Sequence, residues 1–185
     1  MRWPATGLAW TPTSPNVPTF ETALVYPGMG LVGETLVNEG RGTPTPFLQF
    51  GAPWLDAARS AASLNALAMP GVRFEPTRYT PRSIPNVAAD PRFRDRSLPG
   101  VRLAITRAAA YRPLDAGMHV LAELRKSSLA LGAPLFAKLS TFHATSGTRR
   151  LHAMLERGVR GDEIIASWGE EVGRFRGLRA PYLIY

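Results

Sequence analysis

The stretch VNEGRGTPTPFLQFGAPW, residues 37–54, stands out because glycine, proline and aromatic residues are frequent in it. Near its start a Glu and an Arg stand two residues apart, and a glycine lies on each side of the Arg. In an extended chain, alternate residues face the same side. Val37, Glu39, Arg41 and Thr43 are therefore predicted to share one face, which places a carboxylate, a guanidinium and a hydroxyl side by side.

Two interpretations of this face stay open from the residues alone. Glycines beside Arg41 allow a ligand to approach the backbone closely, which favours a binding site. Alternatively, the segment is a glycine-rich turn with a local ion pair between Glu39 and Arg41, which contributes little if it is exposed.

Aromatic side chains are found in and near the same stretch, at Tyr26, Phe47, Phe50 and Trp54. Rings of this kind are typical of a hydrophobic core. The alternative is that one or two of them form an apolar platform for a sugar ring, since aromatic side chains offer a large apolar face.

The composition is typical of one globular domain. The chain has 185 residues, of which 45% are hydrophobic and 19% charged, which suits a domain with its own core and not a disordered chain. No apolar run reaches the roughly 20 residues of a transmembrane helix, and the first residues lack the apolar region of a secretory signal. The absence of cysteine excludes disulfides and thiolate chemistry and leaves the compartment open.

The formal charge of +8 favours an acidic partner. Arginine supplies nearly all of the cations, and these residues are spread along the chain except for a cluster at Arg92, Arg94 and Arg96. A nucleic-acid-binding protein is expected to show a basic stripe and a recognisable module. The sequence shows neither, so we interpret the charge as an arginine-rich solvated surface and expect no nucleic-acid partner.

The region before residue 70 is predicted to be helical after an irregular start. Residues 1–19 carry four prolines and form an irregular lead-in. Residues 20–26 follow Thr19, a candidate N-cap, and predict a short helix that ends near Pro27. The Ala- and Leu-rich residues 53–68 predict a second helix that begins with a proline in its first turn.

Strands are predicted in the middle of the chain and at its end. The period-two pattern of GVRFEPTRY, residues 71–79, predicts one strand, and GVRLAIT, residues 100–106, predicts another. YLIY, residues 182–185, predicts a short terminal strand, because an apolar β-rich terminus is usually held in a sheet.

Three helices are predicted between the strand at residues 100–106 and the terminal strand. The first opens at Pro113 and has apolar residues at helical spacing, namely Leu114, Met118, Leu121 and Leu124. The second, residues 148–158, has an apolar face made of Leu151, Met154 and Leu155 and stops at Gly158. The third opens near Asp162 and carries Ile165, Trp168, Val172 and Phe175.

These three helices are expected to bury Leu121, Leu155, Trp168 and Phe175 in a common core. The whole pattern predicts a mixed α/β (α+β) fold with a small sheet and several helices, in a single domain that spans residues 1–185. The sequence contains no internal repeat and no low-complexity tract.

No pattern for a metal or a cofactor stands out. The three histidines, His119, His143 and His152, lack the spacing of a metal site. GMGLVG, residues 28–33, has the Gly-x-Gly-x-x-Gly spacing of a dinucleotide-binding loop, but no clear strand precedes it, so we do not interpret it as one. The sequence also lacks a Gly-x-Ser-x-Gly nucleophile motif. We therefore expect neither a metal nor a cofactor.

Several motifs together match one family. They are SPNVPT (14–19), YPG (26–28), NEGRGT (38–43), PF (46–47) and GAPW (51–54). PGVRFEPTRYTP, GVRLAIT, YRPLDAGMHVLAELR and the closing YLIY extend the match over nearly the whole chain. With these motifs the sequence resembles the exo-β-N-acetylmuramidase family, long catalogued as a domain of unknown function, and the Glu-Gly-Arg-Gly-Thr block is the specific part of the resemblance.

The sequence departs from the family pattern in three places. Family members are about twice as long, and the resemblance implies that this chain is the C-terminal half, without the family's N-terminal Rossmann-like domain. The family has Glu-Gly-Thr-Asn before the specific block, whereas this chain has Gly33-Glu34-Thr35-Leu36, so Glu34 is displaced by one residue. AADPRFRDRSLPG replaces a shorter, more glycine-rich connection before Gly100.

The resemblance implies hydrolysis of non-reducing-end N-acetylmuramic acid from peptidoglycan fragments. That sugar carries a lactyl carboxylate, for which an Arg offers a planar bidentate fork. The expected catalytic residue is Glu39, since glycoside hydrolysis generally needs carboxyl groups. The expected substrate-binding residues are Arg41, Thr43, Asn16, Glu34 and Phe47.

The resemblance also implies a partner, the N-terminal Rossmann-like domain, which residues 1–19 would join and which would supply further catalytic groups. A chain that faces such a domain is expected to expose an apolar patch near Phe47, Phe50 and Trp54. Family members are often exported, although this chain shows no signal peptide. The alternative function is a non-catalytic carbohydrate-binding or structural domain.

Overall fold

The computed structural model describes residues 3–184. These residues form α1 (Phe20–Gly33), β1 (Gln49–Gly51), α2 (Ala57–Asn65), β2 (Val72–Tyr79), β3 (Leu98–Ile105), α3 (Pro113–Ala130), α4 (Leu139–Ser146), α5 (Arg150–Glu156), α6 (Gly161–Ala166) and α7 (Gly169–Arg179). Short 3-10 turns lie at Trp3–Thr6 and Ala180–Tyr182. The mixed α and β architecture confirms the fold class that the sequence predicts.

The strands form one antiparallel sheet in the order β1-β3-β2. The central strand β3 pairs with β2 over the whole of both strands and with β1 through Phe50, which lies opposite Val101. β2 and β3 confirm the two strands predicted for residues 71–79 and 100–106. The sequence patterns do not predict β1, which is only three residues long. Pro76 lies in β2 at the edge of the sheet, where its missing N–H interrupts no interior pairing.

Helix α1 is longer than its sequence predicts. Thr19 caps it as expected, because its side chain accepts a hydrogen bond of 3.1 Å from the N–H of Thr22. The predicted end near Pro27 is wrong, since the helix continues for six further residues. The cause is packing against α3, where a Cβ on Gly28 or Gly117 would clash with the backbone of the other helix. Gly28 therefore serves the contact between the two helices.

Helix α2 begins four residues later than predicted, at Ala57. Asp56 is its N-cap and accepts a hydrogen bond of 3.0 Å from the N–H of Arg59, which satisfies one of the free donors of the first turn. At the other end Asn65 bonds both the N–H and the carbonyl of Phe74, at 2.9 and 2.7 Å. This pair of bonds holds the end of α2 against β2.

Helix α3 lies at the centre of the hydrophobic core. Pro113 opens it as predicted, and Met118, Leu121 and Leu124 are fully buried. Leu114, predicted on the same face, is 46% exposed. This part of the prediction is wrong because the first turn of α3 borders an open groove.

The predicted helix around Leu151, Met154 and Leu155 is confirmed as α5, and all three side chains are buried. The predicted helix that follows is instead two helices, α6 and α7, separated by Ser167 and Trp168. Trp168 is only partly buried at the edge of the core. One continuous helix would place all the predicted apolar residues on a single face. Because the helix breaks at Ser167 and Trp168, the apolar residues of α7 no longer continue the buried face of α6.

Helix α7 does not belong to the core. Phe175 is 61% exposed, and no described residue of α7 is buried, so the expected burial of Phe175 is wrong. The predicted terminal strand is wrong for residues 182–184, since Tyr182 ends a 3-10 turn and Leu183 and Ile184 pair with no strand. Tyr185 lies outside the described residues.

The prediction of an exposed apolar patch near Phe47, Phe50 and Trp54 is also wrong. Phe47 and Phe50 are buried in the core, and Trp54 packs against it. Large exposed apolar side chains gather instead in the C-terminal segment, at Val172, Phe175, Leu178, Tyr182, Leu183 and Ile184. Within residues 3–184, no helix combines the length and the apolarity that a bilayer crossing requires.

Candidate functional site

The segment around Glu39 and Arg41 is a compact turn, not an extended chain. Gly40 and Gly42 adopt positive φ angles of 84° and 81°. The predicted alternation of side chains along residues 37–43 is therefore wrong. Glu39 and Arg41 meet nevertheless, because the turn brings Nη1 of Arg41 within 2.9 Å of Oε1 of Glu39.

The glycines on either side of Arg41 are required by this turn. A Cβ on Gly40 would lie 2.8 Å from the carbonyl oxygen of Thr45, and one on Gly42 would lie 2.6 Å from that of Arg82. Both positions also need a left-handed backbone, which glycine adopts at no steric cost. Protein packing is thus sufficient to explain why a glycine stands at each position.

Glu39 is a buried carboxylate with 4% of its surface exposed. Its side chain packs against Gly33, and among residues 3–184 no aligned hydrogen bond reaches Oε1, so the contact with Arg41 is an ion pair. Burial raises the pKa of Glu39 above its ordinary value, Arg41 and Arg92 oppose this rise, and Glu34 adds to it. A carboxyl group with a raised pKa keeps its proton to higher pH, as a general acid must.

Arg41 covers the buried carboxylate and stays partly accessible, with 44% of its side chain exposed. Its guanidinium carbon lies 5.2 Å from the centre of the Phe47 ring, in range for a cation–π contact. Phe47 is buried, and its N–H donates a hydrogen bond of 2.7 Å to the carbonyl of Glu39. The turn therefore fixes the ring that supports the guanidinium.

A cleft of about 290 Å³ lies beside Arg41. Asn16, Arg41 and Phe47, three of the predicted site residues, line it together with Thr13, Ser14, Val17, Ala23 and Tyr26. Asn16 is held in place because its Nδ2 donates a hydrogen bond of 2.8 Å to the carbonyl of Val87. The structure thus brings these three predicted residues to one cleft and places Glu39 behind Arg41.

Thr43 and Glu34, also predicted as site residues, do not line this cleft. The hydroxyl of Thr43 donates to the carbonyl of Gly40 at 2.6 Å and accepts from Nε2 of Gln49 at 2.9 Å, so it stabilises the turn. Glu34 follows the end of α1, and its charge acts on the pKa of Glu39. A contact of either residue with substrate stays a prediction.

Asn38 organises the turn, although the sequence pattern does not single it out. It is fully buried, and its Nδ2 donates to the carbonyls of Arg41 and Arg92 at 3.1 and 2.9 Å. Its Oδ1 accepts from the N–H of Gly40 at 2.8 Å. Asn is favoured in turns for this kind of local bonding, so its place directly before the Glu-Gly-Arg-Gly run is a signal that could have identified it.

Tyr79 connects the turn to the sheet. Its hydroxyl donates a hydrogen bond of 2.8 Å to the carbonyl of Asn38. Burial raises the pKa of this hydroxyl, and the charge of Glu39 raises it further, so the proton needed for the bond is retained. The ring occupies space left by Gly51 and Gly100, where a Cβ would lie 3.0 and 2.6 Å from ring carbons. No local sequence signal identifies Tyr79, since it is 41 residues from Asn38.

The histidines do not contribute to the Arg41 cleft. The ring centres of His143 and His152 lie 5.3 Å apart. His119 packs against Gly161 of α6. Within residues 3–184, no group of three or more His, Asp or Glu side chains is arranged to hold a metal ion.

Comparison with known proteins shows the family of the chain. The family model described as exo-β-N-acetylmuramidase NamZ, C-terminal, matches residues 24–185. The chain belongs to this family. The peptidoglycan β-N-acetylmuramidase NamZ of Bacillus subtilis (strain 168) is 32% identical over 182 residues, which are 97% of this chain and 41% of that protein. The family resemblance that the sequence motifs indicate is confirmed.

Two crystal structures of DUF1343 family proteins from Bacteroides fragilis NCTC 9343 are similar to this NamZ-family chain. One has a TM-score of 0.85 with 27% identity and covers 100% of this chain and 47% of its own. The other has a TM-score of 0.69 with 30% identity and covers 94% of this chain and 43% of its own. The chain therefore spans less than half the length of these relatives.

Proposed function

We propose that this chain forms the part of a peptidoglycan glycosidase that binds N-acetylmuramic acid. The enzyme would release this sugar from the non-reducing end of peptidoglycan fragments, as the family resemblance implies. The Bacillus subtilis relative, named a peptidoglycan β-N-acetylmuramidase, supports the substrate class. The observation that carries the proposal is Arg41, which lies on the Phe47 ring beside a cleft and stays partly exposed.

Arg41 suits the lactyl carboxylate that distinguishes N-acetylmuramic acid from N-acetylglucosamine. A guanidinium offers two parallel N–H donors to a carboxylate, and the contact with an aromatic ring fixes its plane. Asn16 and the hydroxyl-bearing Thr13 and Ser14 line the same cleft and offer hydrogen bonds to sugar hydroxyls. The cleft thus combines a cation for the acid group with neutral polar groups for the ring.

Glu39 is the proposed catalytic group, a general acid. When the lactyl carboxylate takes Arg41 as its partner, Glu39 loses the cation that lowers its pKa, and the protonated form becomes more favourable. Arg41 covers Glu39 in the free chain, so its movement onto the lactyl carboxylate also opens the path from Glu39 to the cleft.

Glu39 then donates this proton to the glycosidic oxygen as the bond from that oxygen to the anomeric carbon breaks. Water adds to the anomeric carbon and gives up one proton to a carboxylate, which balances the proton that Glu39 donated. The products are N-acetylmuramic acid and a fragment shortened by one sugar.

A second carboxyl group is required, because glycosidases of this type generally use two. We propose that it lies on a Rossmann-like N-terminal domain, which corresponds to the additional length of the relatives. The exposed apolar side chains of the C-terminal segment, among them Phe175, Leu178 and Ile184, support such a partner, since surfaces of this kind commonly mark protein contacts. Residues 1–185 would then be one domain of a two-domain enzyme.

The burial of Glu39 favours a second candidate function. A carboxylate that is 4% exposed and held by Arg41 is also what a purely structural ion pair requires. In that case the chain is a non-catalytic carbohydrate-binding domain, and Arg41 alone contacts the sugar.

Release of N-acetylmuramic acid from a disaccharide substrate separates the two functions. The chain is assayed alone and with the N-terminal region of the Bacillus subtilis relative supplied as a separate polypeptide. We expect release only from the mixture, and a loss of at least about 100-fold with Glu39→Gln, in the range of acid–base groups. A Glu39→Gln mixture with the wild-type rate would assign the chain to sugar binding alone.

A further inference from the structure

The connection between β2 and β3, residues 80–97, packs against the turn that holds Glu39 and Arg41. Pro91 of this connection lies beside Gly42, where a Cβ would meet the proline ring at 2.7 Å. The second half of the connection belongs to the stretch AADPRFRDRSLPG, one of the three places where the sequence departs from the family pattern. Its contacts with the turn are therefore a feature of this chain and not of the family motifs.

Asn38 holds the backbones of Arg41 and Arg92 through a single nitrogen. Its Nδ2 donates hydrogen bonds of 3.1 Å to the carbonyl of Arg41 and of 2.9 Å to the carbonyl of Arg92. Asn38 is fully buried and directly precedes Glu39, so both arginines are anchored beside the carboxylate. Because these bonds use backbone carbonyls, they remain when either arginine side chain is changed.

Arg92 is exposed and stays outside the ion pairs of its connection. Arg94, two residues away, pairs with Asp90 at 3.1 Å. Among residues 3–184, no carboxylate forms an ion pair of this kind with Arg92. Arg92 also does not line the cleft beside Arg41. A ligand in that cleft therefore competes for Arg41 and leaves Arg92 in place.

Glu39 is surrounded by charged and titratable groups from several elements. They are Arg41 from the turn, Arg92 from the β2–β3 connection, Glu34 from the end of α1 and Tyr79 from β2. Burial raises the pKa of Glu39 most strongly and Glu34 adds to this rise, whereas Arg41 and Arg92 lower the pKa. The two arginines are thus the cations that balance the buried carboxylate.

A general acid must hold its proton until the substrate is bound and must then release it. The proposed movement of Arg41 onto the lactyl carboxylate favours the first requirement, because Glu39 loses one cation. Release of the proton leaves a negative charge on a side chain that is 4% exposed. A buried charge without a partner is strongly unfavourable, so a second cation near Glu39 favours the second requirement.

We infer that Arg92 is the counter-ion that stays with Glu39 when Arg41 binds the acidic sugar. Arg92 acts through Glu39 and not on the sugar, so it is a positioning residue. The inference rests on the proposed function, since it concerns the state in which Arg41 has turned to the lactyl carboxylate.

The test measures the protonation of Glu39 by NMR, in the chain alone and in the chain saturated with N-acetylmuramic acid. The carboxyl carbon of Glu39 is observed after labelling with isotope-enriched glutamate and is assigned by its absence in Glu39→Gln. Arg92→Gln removes the charge and keeps the carbonyl that Asn38 holds, and Arg92→Lys restores the charge. Arg96→Gln is the matched control, because Arg96 is an exposed arginine of the same connection whose charge is not among those that act on Glu39.

In the free chain, Arg92→Gln should increase the proton affinity of Glu39 by at least about threefold, as expected for the loss of one nearby unit charge. Arg92→Lys and Arg96→Gln should leave this affinity at its wild-type value. The increase in Arg92→Gln should persist in the complex with N-acetylmuramic acid, because Arg92 stays beside Glu39. An unchanged affinity in Arg92→Gln, an equal increase in Arg92→Lys or Arg96→Gln, or an increase that disappears when the sugar binds overturns the inference.

Release of N-acetylmuramic acid by the two-polypeptide mixture separates this inference from the proposed function. If Arg92→Gln raises the proton affinity in both states but Glu39→Gln keeps the wild-type rate of release, the counter-ion role stands and the proposed catalysis fails. If Glu39→Gln abolishes release and Arg92→Gln leaves the proton affinity unchanged, the proposed function stands and this inference fails. If the sugar does not bind, both fail.

Discussion

The hydroxyl of Tyr79 lies 2.8 Å from the carbonyl oxygen of Asn38 and joins the sheet to the turn that holds Glu39 and Arg41. The side chain of Asn38 in turn bonds to the backbone of Gly40 and Arg41, the two residues that follow Glu39. A strand residue thus determines where the candidate site lies, although it does not line the cleft.

Tyr79→Phe is expected to lower the free energy of unfolding by about 0.5–1.5 kcal/mol, since it removes one hydrogen bond to the buried carbonyl of Asn38, which keeps the bond from the N–H of Gly51. Chemical denaturation measures the change. Tyr182→Phe removes the same hydroxyl from an exposed ring and should change stability by less than about 0.5 kcal/mol. Equal effects of the two substitutions would contradict a special role for the Tyr79 bond.

The difference in stability between Gly42→Ala and Gly147→Ala separates the cost of overpacking from the cost of backbone strain. Both glycines have positive φ, but only at Gly42 does a Cβ meet neighbouring atoms, among them the carbonyl of Arg82. We expect Gly42→Ala to destabilise the chain by at least about 1 kcal/mol more than Gly147→Ala, because overpacking adds to the strain. Similar thermal midpoints for the two variants would show that the turn around Arg41 is less tightly packed than described.

The raised pKa of Glu39 predicts that the stability of the chain depends on pH. Its pKa is raised in the folded chain, so its contribution to stability is fully present below the unfolded value near 4.5 and is lost as pH rises through the folded pKa. Glu39→Gln does not titrate, so the stability of this variant relative to the wild type should increase over this pH range. Unfolding measured from pH 4 to pH 8 tests this trend.

Arg41→Met provides the control for that titration. Arg41 lowers the pKa of Glu39, so its removal should move the loss of stability to higher pH. Two outcomes would contradict the raised pKa of Glu39. The stability of Glu39→Gln relative to the wild type could fall as pH rises, or the loss of stability in Arg41→Met could move to lower pH. Either result would show that the folded chain stabilises the charged form of Glu39.

Phe175→Ser is expected to change the free energy of unfolding by less than about 0.5 kcal/mol, because Phe175 is exposed on α7. It should also reduce the binding of a hydrophobic dye, since it removes part of the apolar C-terminal surface. Phe142→Ala, a change in a fully buried ring, should cost about 3–5 kcal/mol. Dye binding unaffected by Phe175→Ser would place the exposed apolar surface elsewhere.

Sequence patterns predict the elements of this fold whose burial follows one regular period. The two longer strands and helices α3 and α5 are of this kind. The prediction fails where contacts distant in sequence decide, as in α1, which continues past Pro27 because Gly28 packs against Gly117. It fails again at Phe175, where apolar spacing continues although no described residue of α7 is buried.

The candidate site also has features that the sequence predicts and features that depend on contacts distant in sequence. The pairing of Glu39 and Arg41 is predictable from their spacing, although the backbone that brings them together is a turn and not a strand. The burial of Glu39 and the support from Tyr79 are not predictable, because both depend on the sheet packing against the turn. The glycines, interpreted from sequence as open space for a ligand, are explained by contacts within the protein.

The central claim is that Arg41 binds the carboxylate of N-acetylmuramic acid, and calorimetric titration of the chain with that sugar tests it most directly. Arg41→Lys keeps the charge and removes the bidentate fork, while Arg94→Lys is the control, because Arg94 has a similarly exposed side chain in an ion pair with Asp90. We predict at least tenfold weaker binding of N-acetylmuramic acid for Arg41→Lys alone, with N-acetylglucosamine unaffected by either change. Equal affinity of the wild type and Arg41→Lys for N-acetylmuramic acid would contradict the account.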